Sequence, residues 1–271
     1  MTWHRDKDGN WVESVGSKEG EPVRMDHKTA VAKSIIAGAY SVNKFGENPD
    51  VDAAEDMTDT GFTWDLFPSG AQTVSIVSSD DEDGGAGTDT GALTIFIEGI
   101  DENDAKVSET INLNGTTPVV STKTYKLLFR AIIRTAGSVG ANIGNITCTG
   151  STDSGTTMFV ILIGNNQTLM CVFAIETSKE GFIHGIKLRT LRTAGVAVSA
   201  EITLLAKPNG EVWQVKERFS METTGDSAPV VLFDPPKQFD PLTLFKLNVS
   251  NVSTTNLLIG GSMDITVEPV Q

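Results

Sequence analysis

The sequence predicts an all-β protein, with an antiparallel β-sandwich or jelly-roll-like body and an extended N-terminal arm that carries one short helix. From residue 71 onward, runs of 5 to 10 residues rich in Val, Ile, Thr and Phe alternate with clusters of Gly, Asn, Asp and Ser. Eight such runs follow residue 151, and that number matches the strand count of a jelly roll. Helix content after residue 70 should be close to nil.

The first 68 residues predict an arm used for attachment. Asp26 is a suitable N-cap for a helix over HKTAVAKSIIAG, about three turns long, and Gly38 is a suitable end. Residues 39–68 place aromatic residues among turn residues without a sustained period, which is typical of an extended segment laid over another surface. Large aromatic residues outside regular structure often anchor such a segment to a partner. The predicted partner-binding residues are Trp3, Trp11, Phe45, Trp64 and Phe67.

A first β domain is predicted over residues 69–150. Its clearest element is a hairpin in which ALTIFIEGI turns through DENDA into KVSETINL, with alternating apolar residues. The run KTYKLLFRAIIRT then predicts a long strand. The polar, Gly-bearing segment 150–155 is the best boundary before a second, β-sandwich domain over residues 151–271. The same segment would equally suit a long loop within one β unit.

The net charge of −14 comes from one segment. Residues 45–105 contain sixteen Asp and Glu residues and no Lys or Arg, whereas the rest of the chain is nearly neutral. Such a block indicates a solvated surface, a flexible arm or a face that meets a basic partner. The run Asp80-Asp81-Glu82-Asp83 has oxygen ligands that suit Ca²⁺, but it lacks the alternating spacing of an EF-hand loop, which favours a solvated loop.

The sequence contains few of the residues that catalysis requires. The histidines are His4, His27 and His184, and their spacing places none beside a nucleophile or a second metal ligand. Cys148 and Cys171 lie in β-like stretches, which favours two reduced core residues over a disulfide. The chain is therefore expected to be non-enzymatic, with no catalytic residues, no cofactor and no metal.

Two classes of partner are not expected. A chain with this excess of negative charge would be repelled by phosphates, so the sequence does not predict nucleic-acid binding. No apolar run reaches the roughly 18 to 20 residues that span a bilayer, and the first residues lack the apolar core of a signal peptide. We therefore expect no membrane partner, and synthesis in a cytoplasm without export.

Four stretches resemble a known family: KFGENPDVD (44–52), GAGTDTGALTIFIEGID (85–101), SETINLNGTTPVVSTKTYKLLFRAIIRTAGSVGANIGNIT (108–147) and IGNNQTLMCVFAI (163–175). They are similar to a group of virion structural proteins of tailed bacteriophages, common among marine and environmental phages. The most specific part is LNGTTPV followed by a long strand and the TAGSVGAN loop. This chain has DEND in a turn where many members carry a Tyr, and GSVGAN where they often have a sequence closer to GSGGAN. The resemblance covers about residues 42–175 and implies a non-enzymatic particle component, without fixing its place in the particle.

Together with the residue pattern, the resemblance predicts an accessory or decoration protein of the phage head or neck (collar). It would dock on capsid, portal or neck subunits through its N-terminal arm and form a homo-oligomer in the virion, after synthesis in the host cytoplasm. The alternative is a tail or fibre-type component that binds a host glycan, with Trp213, Asn165, Asn166 and Asp226 as candidate contacts. A carbohydrate-active enzyme on a β scaffold is a third interpretation.

Overall fold

The computed structural model describes residues 2–5, 11–14, 24–25, 27–85, 88–191, 198–223 and 228–270. These residues form an almost entirely β structure with one short helix, which confirms the predicted fold class. In chain order the elements are β1 (Thr2–Arg5), β2 (Trp11–Ser14), β3 (Arg24–Met25), α1 (His27–Ala32), β4 (Tyr40–Val51), β5 (Glu55–Asp56), β6 (Val74–Ser78), β7 (Ala92–Ile100), β8 (Lys106–Asn112), β9 (Val119–Val120), β10 (Leu127–Ala136), β11 (Ile146–Gly150), β12 (Thr157–Ile161), β13 (Val172–Ala174), β14 (Lys179–Leu191), β15 (Val198–Lys207), β16 (Gln214–Thr223), β17 (Val230–Phe239), β18 (Leu244–Val252) and β19 (Leu257–Pro269).

The strands of the described residues form five antiparallel sheets. The N-terminal sheet has the strand order β1-β2-β3. Sheet I has the order β10-β7-β8, and sheet II has the order β12-β11-β6-β9. Sheet III has the order β13-β18-β15-β16, with β5 beside β18, and sheet IV has the order β17-β14-β19-β4.

Sheets III and IV pack face to face at the C-terminal end of the chain. On β14, Ile183, Ile186 and Leu188 are buried on the inner face of sheet IV. The ring of Phe239 on β17 stacks on the ring of Phe245 on β18, with centroids 5.3 Å apart. The apolar and polar residues of these strands alternate, so each sheet buries one face and exposes the other.

Sheets I and II extend the same core. β7 and β8 form the predicted hairpin, in which Ile95 and Ile97 are buried. The ring of Phe129 on β10 packs on Phe173 of β13 with centroids 5.1 Å apart, and Phe173 packs on Phe245 at 5.6 Å. This row of rings joins sheet I to sheet III, so the buried apolar residues form one continuous cluster.

The chain before residue 69 departs from the predicted extended arm. β4 is an edge strand of sheet IV beside β19, and β5 pairs with β18. Lys44, Gly46 and Asn48 occupy three of the four buried positions of β4, and Val51 at the end of the strand is the fourth. Because none of the three is apolar, the alternation that indicates a half-buried strand is missing from the sequence. Residues 40–56 therefore belong to the C-terminal sheets.

Strand pairing also crosses the predicted boundary between residues 150 and 151. β11 and β12 pair with each other in sheet II, so the polar segment between them is a loop within one β unit. That is the alternative that the sequence left open. α1 is shorter than the predicted three turns, because Ser34 adopts a positive φ of 56° soon after the helix ends. The predicted N-cap, Asp26, lies outside the described residues.

Candidate functional site

The predicted anchors Trp64 and Phe67 are covered by the chain itself. Trp64 is fully buried, and its indole Nε1 donates to the Leu128 carbonyl at 2.6 Å. The backbone N–H of Trp64 donates to Asp56 at 2.7 Å. Phe67 is 3% exposed. An indole whose polar atom is paired and whose surface is removed from water is a core residue. This corrects the prediction, because neither side chain is available to a partner.

Trp3 and Trp11 lie in the N-terminal sheet. β1 and β2 pair with Trp3 opposite Glu13 and Trp11 opposite Arg5, and Met25 of β3 pairs with Trp11. Directly opposed residues of an antiparallel pair share a face, so both tryptophan positions fall on one face of this sheet. The structure describes the backbone of these strands, and the partner-binding role of the two residues stays a prediction.

Among the predicted anchors whose side chains the structure describes, Phe45 is the exposed one. It lies on the outer face of sheet IV with 43% of its surface exposed, and β4 pairs it with Ser262 of β19. Ser262 is paired in turn with Lys187 of β14, on the other side of β19. The small side chain of Ser262 therefore leaves a depression between the Phe45 ring and the Lys187 stem.

The adjacent row of the same face continues this depression. Gly260 of β19 lies between Glu47 on β4 and Arg189 on β14. Arg189 Nη2 is 2.6 Å from Glu47 Oε2, so an ion pair spans the position where Gly260 has no side chain. The depression has a volume of about 210 Å³. We call it the outer trough, and its defining residues are Phe45, Glu47, Lys187, Arg189, Gly260 and Ser262.

The outer trough has the chemistry of a protein-binding surface. The Phe45 ring offers apolar area at its edge, and the exposed Lys187 offers a cation. The Glu47–Arg189 pair forms a polar border. An apolar centre with a polar rim is the usual composition of a protein interface. A segment with an apolar residue and a carboxylate would satisfy both features of this surface.

α1 covers the outer face of sheet IV next to the outer trough. His27 Nε2 is 2.9 Å from Glu268 Oε1, and Lys28 Nζ is 3.0 Å from Asp264 Oδ2. Asp264 and Glu268 lie on β19, two and six residues after Ser262. β3 ends only two residues before α1 begins, so the N-terminal sheet directly precedes α1 along the chain.

The acidic segment does not form one solvated face. Asp56 is buried against Lys246, with Oδ2 2.6 Å from Nζ. Asp65 is paired with Lys207 at 2.8 Å, and the Lys207 ammonium and other hydrogen bonds outweigh burial, so the pKa of Asp65 is lowered. Several of the sixteen acids therefore neutralise lysines of the same chain. The charge block alone does not define a binding site.

The loop over residues 80–85 is organised by a buried carboxylate. Asp83 is fully buried and accepts four hydrogen bonds, from Ser78 Oγ, the Ala92 N–H, the Ile143 N–H and the Gly144 N–H, at 2.7 to 2.9 Å. The carboxylate therefore ties its own loop to the end of β6, the start of β7 and the loop before β11 through protein donors. Among the described residues, no group of three or more His, Cys, Asp or Glu side chains is placed to hold a metal ion.

Trp213, a candidate glycan contact, has little free ring surface. Lys246 Nζ lies 4.3 Å from the centre of its ring, and the Trp64 ring packs beside it at 6.3 Å. Its Nε1 donates to Asp65 Oδ2 at 3.0 Å. These contacts make Trp213 a packing residue at the border of sheet III rather than a stacking platform.

Asn166, another predicted glycan contact, is engaged within its own loop. Asn166 has a positive φ of 59°, and its side chain accepts from the Asn142 N–H at 3.1 Å and donates to the Gly140 carbonyl at 3.3 Å. Asn166 therefore shapes the loop before β13. Asn165 precedes it in the same loop, and Asp226 lies outside the described residues.

A further depression of about 240 Å³ opens between sheets I and III. Its walls are mainly apolar and include Leu66, Ile100, Leu127 and Leu244. The cations at its border already have partners, since Lys126 is 2.6 Å from Asp104 and Lys207 binds Asp65. The described residues that line this depression therefore offer a ligand no unpaired charge.

The nucleophile and base candidates are structural. Cys148 and Cys171 are buried free thiols; burial raises the pKa of Cys148, and it raises the pKa of Cys171 to about 12. His184 lies on β14 with Nε2 2.9 Å from Thr266 Oγ1, and burial lowers its pKa, with a further contribution from Lys28. Both thiols are therefore protonated at neutral pH and unsuited to nucleophilic attack.

No protein-family model matches this chain, and no curated protein matches it in sequence. Within the described residues, no helix has the length and apolar character needed to cross a membrane. The class that the fold and the surface define is therefore an all-β protein with a candidate protein-binding trough on one sheet face.

Proposed function

We propose that this chain is a non-enzymatic structural subunit of a tailed-bacteriophage particle, an accessory or decoration protein of the head or neck. The outer trough is the observation that carries the proposal, because it presents an exposed aromatic ring, a cation and a polar border on one sheet face. The resemblance over residues 42–175 supports the kind of particle, and Phe45 lies within its first stretch, KFGENPDVD.

The proposed partners are capsid, portal or neck subunits of the same particle. The contact uses the outer trough, and the N-terminal sheet, which directly precedes α1 along the chain, contributes a second attachment point. Two attachment points on one chain raise the effective concentration of the second once the first has bound. A stable interface of this type buries on the order of 1,200 to 2,000 Å² in total.

The test begins with location. Antibody raised against the recombinant protein is applied to purified particles of the phage that encodes the chain, and the label is located by electron microscopy. Label over the head or around the neck supports the proposal. Label confined to the tail tip supports the glycan-binding alternative, and particles without label contradict any structural role.

The surface is then tested with a matched pair of variants. Phe45→Ser removes the exposed ring from the outer trough, and we expect binding to particles that lack the protein to weaken at least tenfold. Val120→Ser on β9, which is 55% exposed, is the control and should bind as the wild type does. Equal binding by Phe45→Ser and the wild type would contradict the assignment of the outer trough.

A further inference from the structure

We propose that β17 is the strand through which two copies of this chain associate, by antiparallel pairing of residues 230–232 with the same residues of a second copy. This inference stands independently of the particle role proposed above. β17 forms one end of sheet IV, and within the described residues its only strand partner is β14. On its other side, no strand of the described part of the chain pairs with it.

The backbone at this edge has unused hydrogen-bonding groups. The Leu188 N–H donates to the Pro229 carbonyl at 2.9 Å, so the backbone of residue 229 is directed towards β14. This direction alternates along an antiparallel ladder. Val231 is therefore also directed towards β14, and Val230 and Leu232 direct their N–H and C=O groups to the open side.

The side chains of the same two residues are exposed and apolar. Val230 is 56% exposed and Leu232 is 76% exposed. They pair with Lys187 and Gly185 of β14, which places them on the outer face of sheet IV beside the outer trough. Val231, between them, packs against the core. Soluble proteins normally blunt open strand edges with charges or prolines, and β17 carries these only from Asp234 onward. The two exposed apolar residues lie before that point, at open backbone groups, and indicate an interface there.

A second copy fits this edge because the segment is self-complementary. A two-fold axis through Val231 sets Val230 opposite Leu232 of the second copy, and the reverse pair follows by symmetry. In that register, the outward N–H and C=O groups of Val230 bond to those of Leu232 in the second copy. The exposed side chains of Val230 and Leu232 contact each other across the two copies. The paired segment is limited to residues 230–232, because β17 begins at Val230 and its regular pairing with β14 is interrupted after Leu232.

The first test measures self-association of the full chain by sedimentation velocity, from about 1 to about 100 µM, the range in which weak interfaces are populated. Leu232→Pro removes the outward N–H and keeps the bonds to β14, since proline is accepted where a strand N–H faces away from the sheet. Leu232→Asp adds a charge at the same place. We expect each variant to weaken dimerisation at least tenfold with an unchanged circular dichroism spectrum.

Ile163→Asp is the matched control for the charge substitution. Ile163 is 62% exposed and lies in the loop after β12, away from sheet IV, so this variant should dimerise as the wild type does. A wild-type chain that stays monomeric at the highest concentration overturns the proposal. A dimer that survives both Leu232 variants also overturns it, because the contact would then lie elsewhere.

The second test fixes the register by cross-linking. In the proposed register the two Val231 residues form a pair without hydrogen bonds, with Cα atoms about 4.5 Å apart. That distance lies in the range that a disulfide spans. Val231→Cys should therefore form a covalent dimer under a mild oxidant, and Leu232→Cys should form far less, because its two copies are offset along the strands. Cys148 and Cys171 are buried and do not compete. Equal yields from both variants, or no cross-link from either, would overturn the register.

Discussion

Lys44 places a charge in the core, and replacing this lysine gives a quantitative test of what its burial costs in folding stability. Its side chain is 4% exposed, and its amine donates to the Phe129 carbonyl. Burial, with a further contribution from Arg130, lowers the pKa of Lys44 from 10.5 to about 7. Between these two values, the unfolded chain holds a proton on Lys44 that the folded chain does not. The free energy of unfolding therefore rises with pH in this window, and the cost of the buried charge is fully present below pH 7.

We expect Lys44→Met to be more stable than the wild type at pH 6. The fall in pKa corresponds to about 5 kcal/mol, at about 1.4 kcal/mol for each pH unit. Leaving the Phe129 carbonyl without its donor costs about 2 kcal/mol. The expected gain at pH 6 is therefore about 3 kcal/mol, and it should shrink by about 1.4 kcal/mol per unit as the pH rises above 7.

The assay is urea-induced unfolding at pH 6, 7, 8 and 9 at constant ionic strength, followed by circular dichroism. Lys33→Met is the control, because Lys33 is exposed and its replacement should change the free energy of unfolding by the same small amount at every pH. A pH-independent difference between Lys44→Met and the wild type would refute the reasoning. A wild type that is the more stable of the two at pH 6 would refute it as well.

Three other perturbations test the core. Burial raises the pKa of Asp59 from 3.8 to about 7, so the free energy of unfolding of the wild type falls as the pH rises through this window. Asp59→Asn should lack that fall. In urea unfolding, its stability relative to the wild type should therefore increase by about 4 kcal/mol between pH 4 and 7. Asp83→Asn turns an amide N–H towards backbone donors and should cost about 2 to 4 kcal/mol, seen as a lower melting temperature; an unchanged melting temperature contradicts the loop-tying role. Cys148 and Cys171 should react with a thiol reagent only after denaturation, and rapid reaction of the native protein would contradict their burial.

The C-terminal strands could be predicted because their inward positions carry apolar residues with a period of two. β14 shows this with Ile186 and Leu188 inward and Lys187 outward between them. β4 could not be predicted in the same way, because Lys44 and Gly46 occupy inward positions. Their burial depends on tertiary contacts, such as the Phe129 carbonyl that receives the Lys44 amine, and a local pattern does not record such contacts.

The candidate site was found in part. Phe45 was identified as an aromatic residue outside apparent regular structure, and it does lie exposed on the surface. Trp64 met the same criterion, but the Leu128 carbonyl and the adjacent core that cover it come from distant segments. In the sequence, one feature indicates the floor of the outer trough, namely the Gly260-Gly261 pair inside a strand-like run. Glycine in a strand often marks a place where another chain approaches closely.

The position of β19 has a consequence for synthesis of the protein. It is the strand between β14 and β4, yet it is made after all of the other strands of sheet IV. On the ribosome, β4 must therefore wait for β19, its strand partner among the described residues, until residues 257–269 have emerged, and such long-range pairing slows folding. A nascent chain that stops before residue 257 would consequently present two unpaired strand edges, one on β4 and one on β14. We expect a chaperone that recognises open strands to bind such a chain.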